Sequence, residues 1–155
     1  MKITLDEGAY MPVRAHATDA GLDLFAREDY TIFPCGSVII DTGVHIELPP
    51  NTYGKIESKS GLNVNHDIVS CGGVIDEGYV GSIKVKLYNL NHSDLFQFHG
   101  TYHIHKGDKI AQLVIMPCLY ESCEVADSLD ETERGSNGFG STDGFKHSPW
   151  TIGNR

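Results

Sequence analysis

The chain has 155 residues and a formal net charge of −9, and its 17 glycines suggest many turns. One domain of this length buries about 70% of the surface that its unfolded chain exposes, so it needs neither a metal nor a disulfide to fold. Lysine and arginine form no cluster along the chain. This argues against a nucleic-acid partner, because binding nucleic acid requires a basic surface that displaces counterions from phosphate.

Alternation of apolar and polar residues with a period of two predicts that most of the chain forms β-strands. Successive side chains of a strand point to opposite faces of its sheet, so each alternating run has one buried face and one wet face. In chain order, the predicted strands are Tyr30–Phe33, Ser37–Asp41, Val44–Leu48, Gly54–Glu57, Ile83–Tyr88, Asp94–Phe98 and Ile110–Met116.

Turn-forming sequences separate these strands, among them Pro34-Cys35-Gly36, Pro49-Pro50-Asn51, Asp76-Glu77-Gly78 and Lys106-Gly107-Asp108. No segment keeps helical apolar spacing over three turns. Many short strands with frequent turns are typical of an all-β sandwich or barrel, and a jelly roll fits the pattern. We assign this domain to residues 1–129.

The composition changes after Leu129, and residues 130–155 are predicted to form a flexible C-terminal arm. Residues 133–144 read ERGSNGFGSTDG, in which Phe139 is the one large apolar residue. Such a segment cannot bury enough apolar surface to order itself. Composition alone favours a frayed terminus, whereas the spacing of its residues favours a functional arm.

Five short segments give this sequence its strongest signal. They are Ala20–Leu24, Lys59–Leu62, Gly73–Gly81, Gly107–Leu113 and Arg134–Thr142. In this order and spacing, the chain resembles the homotrimeric dUTPase family from about Asp19 to Thr142. The resemblance implies a jelly-roll (dUTPase-like β-clip) homotrimer whose active sites are each assembled from several subunits. It also implies Mg²⁺-assisted attack of water on the α-phosphate of dUTP, which yields dUMP for dTMP synthesis and removes dUTP from the nucleotide pool.

The third segment carries the expected catalytic residue. By resemblance, Asp76 is the general base that orients the attacking water, and Tyr79 packs against the deoxyribose. The local sequence alone would also fit an aspartate that opens the Asp76–Gly78 turn and a half-buried strand tyrosine. The preceding hairpin, with Ser70, Gly73, Val74 and Ile75, is implied to read the uracil edge with backbone groups.

The second and fourth segments are implied to bind the phosphates. Lys59, Ser60 and Gly61 would hold them directly, with Ser60 on the oxygen between the α- and β-phosphates and Gly61 allowing close approach of the backbone. Gln112 and Lys84 would approach the nucleotide from neighbouring strands. Lys59 stands where the family usually has arginine, so its contact should be looser. A plain surface lysine and a plain outward-facing glutamine are the alternatives for Lys59 and Gln112.

Asp23 is implied to hold a water of the Mg²⁺ cofactor rather than the ion itself. Magnesium keeps several waters and binds substrate phosphates in preference to an all-protein cage, which agrees with the lack of a dense carboxylate cluster. A structural carboxylate that caps a turn is the alternative for Asp23.

The fifth segment is implied to close over the substrate. Arg134 would pair with the γ-phosphate and Phe139 would stack on uracil. Backbone and hydroxyl donors would cradle the phosphates, and these come from Gly140, Ser141 and Thr142.

The other histidines and cysteines are interpreted as structural. His103 and His105 share a strand face without a third ligand in pattern, which favours surface histidines over a zinc site. The four cysteines contain no CxxC pair, and we expect buried, reduced thiols. Neither a signal-peptide core nor a stretch approaching the ~20 apolar residues of a membrane span is present. We therefore expect a cytoplasmic protein with no membrane partner.

Two other functions also fit the sequence. A dCTP deaminase-like enzyme of the same superfamily would need a proton shuttle at the base, whereas Asp76 and the Phe139 arm favour the hydrolase. A module that binds dUTP and signals through a partner is the second alternative. Asn137 stands where the family commonly has glycine, and this departure, the one at Lys59 and the extra C-terminal residues leave room for it.

Overall fold

Short antiparallel strands separated by tight turns form the described part of the protein, which comprises residues 1–71, 73–92 and 100–137 of a computed structural model. The chain divides into two units, Met1–Tyr120 and Glu121–Arg155. The regular elements of the first unit are β1 Lys2–Leu5, β2 Gly21–Phe25, β3 Tyr30–Ile32, β4 Ser37–Asp41, β5 Val44–Glu47, β6 Thr52–Glu57, α1 Ser60–His66, β7 Ile68–Ser70, β8 Val74–Ile75, β9 Lys84–Asn89, β10 Tyr102–Ile104 and β11 Lys109–Pro117.

The strands form four antiparallel sheets. The largest has the order β2-β11-β6-β8, and a second has the order β4-β9-β7. Two strand pairs, β1-β5 and β10-β3, complete the set. Neighbours in the sheets are far apart in sequence, so the chain crosses repeatedly between layers, as a jelly roll does.

One apolar core joins these sheets. In β5 and β9 its buried side chains alternate along the strand, so that one face of each points to the interior, whereas β2 is buried at four successive residues. Members from different sheets include Leu24, Ile40, Val85, Ile104 and Leu113, each with 1% or less of its surface exposed. A continuous core of this kind holds the strand ends, and therefore the loops at those ends, in fixed positions.

The structure confirms the all-β prediction and most of the predicted strands. Ser37–Asp41 has its predicted bounds, and Ile110–Met116 lies within β11. The predicted strand Asp94–Phe98 lies outside the described residues. Helix α1 was not predicted, because none of its seven residues is buried and it therefore has no apolar stripe.

The expected burial of the cysteines was wrong. All four are free thiols, but Cys35, Cys71 and Cys123 are exposed and Cys118 is only half-buried. Cys35 lies in the turn before β4 and has a φ of 58°. The turn places this side chain at the surface, although cysteine is usually buried. Among the described residues, no helix is long and apolar enough to cross a bilayer.

The described part of the second unit, residues 121–137, contains a tight turn but no strand or helix. The amide of Gly135 donates to the Thr132 carbonyl at 3.0 Å, and Gly135 has a φ of 53°. Val125 and Leu129 are almost fully exposed. The predicted arm, residues 130–155, lies within this unit, and its boundary at residue 129 stays a prediction.

Candidate active site

Asp23 is a buried carboxylate at the centre of β2, with 4% of its surface exposed. Lys59 Nζ lies 2.5 Å from its Oδ1, and Lys109 Nζ lies 2.7 Å from its Oδ2. Its amide donates to the Val13 carbonyl at 2.7 Å. Asp23 therefore sits within a strand and does not cap a turn, and Lys59 is a partly buried ion-pair partner instead of a plain surface lysine.

Lys109 reaches Asp23 because the pairing of β11 with β2 is irregular at this point. Lys109 lies opposite Phe25 and Ala111 lies opposite Leu24, so the register shifts between them. A bulge of this kind re-aims a side chain that a regular strand would place elsewhere. Two lysines thus converge on one carboxylate in a chain whose net charge is −9.

The two lysines determine the charge state of Asp23. Burial alone would raise its pKa, but hydrogen bonds from Lys109 and Lys59 outweigh burial and hold the pKa below its ordinary value. The carboxylate is therefore ionised at neutral pH. Because each ammonium group has three N–H donors, each lysine still has donors for a second anion after it has bound Asp23.

Gln112 lies beside Asp23, since these two residues are opposite each other in the β2–β11 pairing. Its Nε2 donates to the Ser58 carbonyl at 3.1 Å. A Cβ on Gly21 would lie 2.3 Å from Gln112 Oε1, so only glycine leaves room for this side chain. We call Asp23, Lys59, Lys109 and Gln112 the Asp23 cluster.

A serine pair links this cluster to the predicted uracil hairpin. Ser58 Oγ lies 3.0 Å from Ser70 Oγ and accepts a 2.8 Å hydrogen bond from the Ser70 amide. Ser60 and Gly61 begin α1, and a Cβ on Gly61 would meet nothing within 4 Å. The backbone at Gly61 is therefore open to a ligand.

A glycine and a buried isoleucine set the conformation of the predicted uracil hairpin. Gly73 has a φ of 122°, and a Cβ there would lie 2.5 Å from the Cβ of Ile56, so the position requires glycine. Ile75 is buried in the core while Val74 is 65% exposed. Because the Ile75 side chain faces the core, this residue can meet a substrate only through its backbone.

Asp76 is exposed and opens the predicted turn, in which the Tyr79 amide donates to the Asp76 carbonyl at 3.0 Å. The neighbouring Glu77 anchors this turn. Its Oε2 accepts hydrogen bonds from the Asn51 amide at 2.9 Å and the Tyr120 hydroxyl at 2.6 Å. The hydrogen bond to Glu77 raises the pKa of Tyr120 to about 12. We call residues 76–79 the Asp76 turn.

Tyr79 packs over the glycine that follows the turn. A Cβ on Gly81 would lie 2.5 Å from the Tyr79 hydroxyl, which donates to the Ser82 carbonyl at 3.0 Å. The ring is 42% exposed, so Tyr79 is neither buried nor a regular strand residue. Lys84 follows at the start of β9, exposed and opposite Asp41, as predicted for the wet face of its strand.

Strand β6 separates the two groups of predicted site residues. Gly54 lies opposite Ile75, whereas Glu57 lies opposite Gln112. The two pairings are three residues apart, about 10 Å along the strand, and Asp76 lies beyond Ile75 on the side away from Gln112. The structure brings Asp23, Lys59 and Gln112 together, but a single chain does not bring Asp76 to them.

Arg134 is described, and its Nε donates to the Asn137 carbonyl at 3.0 Å within the turn of the second unit. The other four predicted residues of the arm lie outside the described residues. They are Phe139, Gly140, Ser141 and Thr142.

The donor set fits an indirectly held Mg²⁺ better than a protein-bound one. Within residues 1–71, 73–92 and 100–137, no group of three or more histidines, cysteines or carboxylates could hold a metal. Asp23 is ionised, and each of its oxygens keeps one lone pair beyond the lysine contacts. Such a carboxylate can accept hydrogen bonds from metal-bound water, which is how Mg²⁺ prefers to be approached.

Sequence reasoning missed Lys109, Ser58 and the Glu77–Tyr120 contact. Lys109 belongs to the fourth segment, but a bulge carries it to Asp23, and no sequence signal shows the bulge. Glu77 looked like a turn residue only. Its partner Tyr120 is 43 positions away, and nothing in either local pattern indicates the pairing.

Comparison with known proteins identifies the family. A protein-family model described as dUTPase matches residues 7–143. The deoxyuridine 5′-triphosphate nucleotidohydrolase of Mus musculus is 42% identical over 140 residues, which cover 90% of this chain and 82% of the mouse protein. The enzyme of the same name from Gloeothece citriformis is 44% identical over 147 residues, covering 92% and 95%.

Solved dUTPase structures resemble this chain in fold. A variant of the Staphylococcus bacteriophage 80alpha dUTPase with dUpNHpp has a TM-score of 0.85 and 31% identity, and the match covers 90% of this chain and 96% of that one. A variant dUTPase from phage phi11 of S. aureus, described with a structural Mg(II) ion, has a TM-score of 0.78 and 29% identity, covering 84% and 98%. These similarities confirm the jelly-roll fold.

Proposed function

The chain belongs to the dUTPase family, and from this membership we propose that it hydrolyses dUTP to dUMP and pyrophosphate. The Asp23 cluster is the observation that carries the proposal. It gathers two lysine ammonium groups at one buried carboxylate, beside the open backbone of Gly61. In an acidic protein, a triphosphate must be bound by such a local concentration of cations and N–H donors.

In the proposed reaction, Asp76 accepts a proton from water as the water oxygen attacks the α-phosphorus. The new P–O bond forms as the bond to the oxygen between the α- and β-phosphates breaks, and pyrophosphate leaves with both electrons of that bond. Lys59 and Ser60 stabilise the charge that develops on the leaving group. Preorganised cations and donors of this kind supply most of the catalysis in phosphoryl transfer.

Mg²⁺ is the proposed cofactor, and when bound it would neutralise part of the charge on the phosphates. This chain contributes the ionised Asp23, which would orient water bound to the ion. Lys59 and Lys109 keep Asp23 ionised and in place. Activity should therefore be lost with EDTA and restored by added Mg²⁺.

The distance between the two groups supports a shared active site, and the proposed assembly is a homotrimer. Because Asp76 and Gln112 are more than about 10 Å apart along β6, the base of one subunit would act beside the Asp23 cluster of another. The arm residues Arg134, Phe139, Gly140, Ser141 and Thr142 would close over the nucleotide. They would contribute a cation for the γ-phosphate, a ring for uracil and hydrogen-bond donors.

Substrate choice tests the reaction directly. Pyrophosphate release should be measured with dUTP, dCTP, dTTP and UTP, and ammonia release should be measured with dCTP. The proposal expects pyrophosphate from dUTP and little from the other three. Ammonia from dCTP would indicate the deaminase instead, and tight dUTP binding without pyrophosphate release would indicate a sensing module.

Subunit mixing tests the shared site. Asp76→Asn and Lys59→Met subunits, each inactive alone, should regain activity when they are unfolded together and refolded as mixed trimers. In such trimers an intact Asp76 from one chain can meet an intact Lys59 from another. Mixing each variant with itself is the control. If the mixed trimers stay inactive while light scattering shows that they formed, the site lies within one chain.

A further inference from the structure

A histidine outside the predicted site residues contacts the backbone just beyond the Asp76 turn. His45, on β5, has Nδ1 2.8 Å from the Val80 carbonyl oxygen and Nε2 3.2 Å from Asp6 Oδ1. Asp6 follows β1, the strand paired with β5. The imidazole therefore bridges the N-terminal strand pair and the residue that directly follows Tyr79.

Both contacts of His45 require a donor nitrogen. A carbonyl oxygen and a carboxylate oxygen only accept hydrogen bonds, and both imidazole nitrogens are donors only in the imidazolium form. The geometry thus fits a charged His45. The hydrogen bond to Val80 is the largest effect that raises the pKa of His45, partial burial opposes it, and Asp6 raises it further.

The exposed Val80 side chain gives the segment held by His45 little support. Val80 is 67% exposed and lines a surface cavity of about 240 Å³, so side-chain packing does not fix it. Tyr79 reaches Ser82 through its hydroxyl, and the Ser82 hydroxyl hydrogen-bonds Asp41. The His45 contact therefore holds the Val80 carbonyl, in addition to the hydrogen bonds that hold Tyr79 and Ser82 at the two ends of the segment.

We propose that His45 is a positioning residue for substrate binding: its imidazolium ties the Val80 carbonyl to Asp6 and so holds Tyr79 against the deoxyribose. The proposal rests on the proposed dUTP hydrolysis, since Tyr79 has this role only there. It makes substrate binding sensitive to pH through a residue that does not touch the substrate.

The surrounding charges set the direction of this pH dependence. The charged groups that act on His45 are Asp6 and Asp41. Arg27 and Lys84 act in turn on Asp41, and the Lys2–Glu47 pair lies on the same β1–β5 strand pair. Arg27 lies 3.6 Å from Asp6 and 3.7 Å from Asp41, so it partly screens both carboxylates. The folded pKa lies above the ordinary value of about 6.5, so the tie is complete below about pH 6.5 and weakens as the pH rises through the higher pKa.

Kinetics of three variants test the proposal. His45→Ala removes both contacts, and we expect a KM about three- to tenfold higher at pH 6 with little change in kcat, the range of one or two lost hydrogen bonds. This difference from wild type should shrink by pH 9. His45→Asn keeps a donor near Nδ1 but cannot titrate, so its KM should lie between the two without this pH dependence.

His103→Asn is the matched control, because His103 is a strand histidine whose ring lies 3.2 Å from the Thr31 hydroxyl, away from the Asp76 turn. The KM of this variant should depend on pH as that of wild type does. The control thus accounts for the titration of the substrate phosphate, which affects every variant alike. The proposal is overturned if the ratio of the His45→Ala and wild-type KM values is close to one at pH 6, or is the same at pH 6 and pH 9.

An NMR titration separates this proposal from the proposed function. The imidazole signal missing in His45→Asn identifies His45, whose pKa should exceed 6.5 in the wild type and fall in Asp6→Asn. The ring signals of Tyr79 should shift with that titration in the wild type but not in His45→Asn. If the wild type releases no pyrophosphate from dUTP, the proposed function fails. Independently of that result, the positioning role of His45 is overturned if the Tyr79 signals do not shift as His45 titrates.

Discussion

The two carboxylates assigned to the reaction, Asp23 and Asp76, lie in opposite physical settings. Asp23 is in the middle of a strand, 4% exposed, with a lysine on each oxygen. Asp76 is exposed at the end of the two-residue strand β8, and its turn is held by its neighbours Glu77 and Tyr79.

This difference in burial suits the two carboxylates to different roles. A buried carboxylate with two cations is fixed in place and stays charged, so it suits orientation and electrostatics. An exposed carboxylate on a short turn can meet a substrate and exchange a proton with water. Substitution of Asp76 should therefore lower kcat without lowering stability, whereas substitution of Asp23 should lower both.

Asp76→Asn should give the largest loss of activity. The variant removes the proposed general base, and such groups contribute about 10²–10⁴-fold to kcat. Because Asp76 is exposed, the melting temperature and the binding of a non-hydrolysable dUTP analogue should stay near wild type. The measurements are kcat, Kd of the analogue and Tm. A kcat close to wild type would show that another group takes the proton.

Deleting everything after Glu133 should also abolish most turnover. Residues 133–144 have too little apolar surface to contribute to a core, so the proposed trimer should still fold and its Tm should change little. Loss of a closing arm misplaces substrate and admits water, and misplacement alone can cost about 10²-fold. Thermal unfolding and kcat should be compared for the truncated and intact chains. A collapse of the melting transition would show that the arm is structural.

Asp23→Asn should lower stability by about 1–3 kcal/mol, the range for lost hydrogen bonds to charged groups. The loss stays moderate because the Lys59 and Lys109 side chains are 27% and 45% exposed and can regain water. The folded pKa of Asp23 is lowered, so its contribution is present above about pH 4 and is lost as the pH falls through the folded pKa. The Tm of the variant should therefore fall less steeply than that of wild type in acid.

Asp19→Asn is the matched control for that measurement. Asp19 is near Asp23 in sequence, and its contacts with the His16 amide and ring lie at the surface. Its loss should leave Tm close to wild type. If both variants melt alike, the burial of Asp23 does not set its contribution.

The sequence predicts the region around Asp76 better than the region around Asp23. The Asp76 turn was predicted in place, because Asp-Glu-Gly is turn chemistry and turns depend on local sequence. The alternating runs around Ile46 and Val85 likewise predicted their strands. Local periodicity is sufficient where one face of a strand is buried and the other is wet.

The region around Asp23 was less predictable, for physical reasons. Strand β2 is buried at four successive residues, 21–24, so it has no alternation to reveal it. The bulge that brings Lys109 to Asp23 depends on pairing between strands more than 80 positions apart. The segment motifs nevertheless named Asp23, Lys59 and Gln112. These three residues were identified by the family resemblance and not by local sequence patterns.

Tyr120→Phe should have the smallest effect and tests what holds the Asp76 turn. The variant removes the hydroxyl that donates to Glu77, while the 2.9 Å hydrogen bond from the Asn51 amide remains. Because Tyr120 is 63% exposed, water can replace its hydroxyl, and we expect a fall of about twofold in kcat/KM. Glu77→Gln should cost more, since the neutral amide accepts both hydrogen bonds less strongly.

Ultraviolet titration of the phenols checks the same contact without any assay of activity. Tyr120 has a pKa of about 12, so the wild type should show a late-titrating tyrosine that is missing in Tyr120→Phe. In Glu77→Gln the late component should move to lower pH, because the phenolate would no longer face a carboxylate. If Glu77→Gln leaves the late component unmoved, Tyr120 does not donate to Glu77. The Asp76 turn would then be held by the Asn51 amide and the Tyr79 hydrogen bond alone.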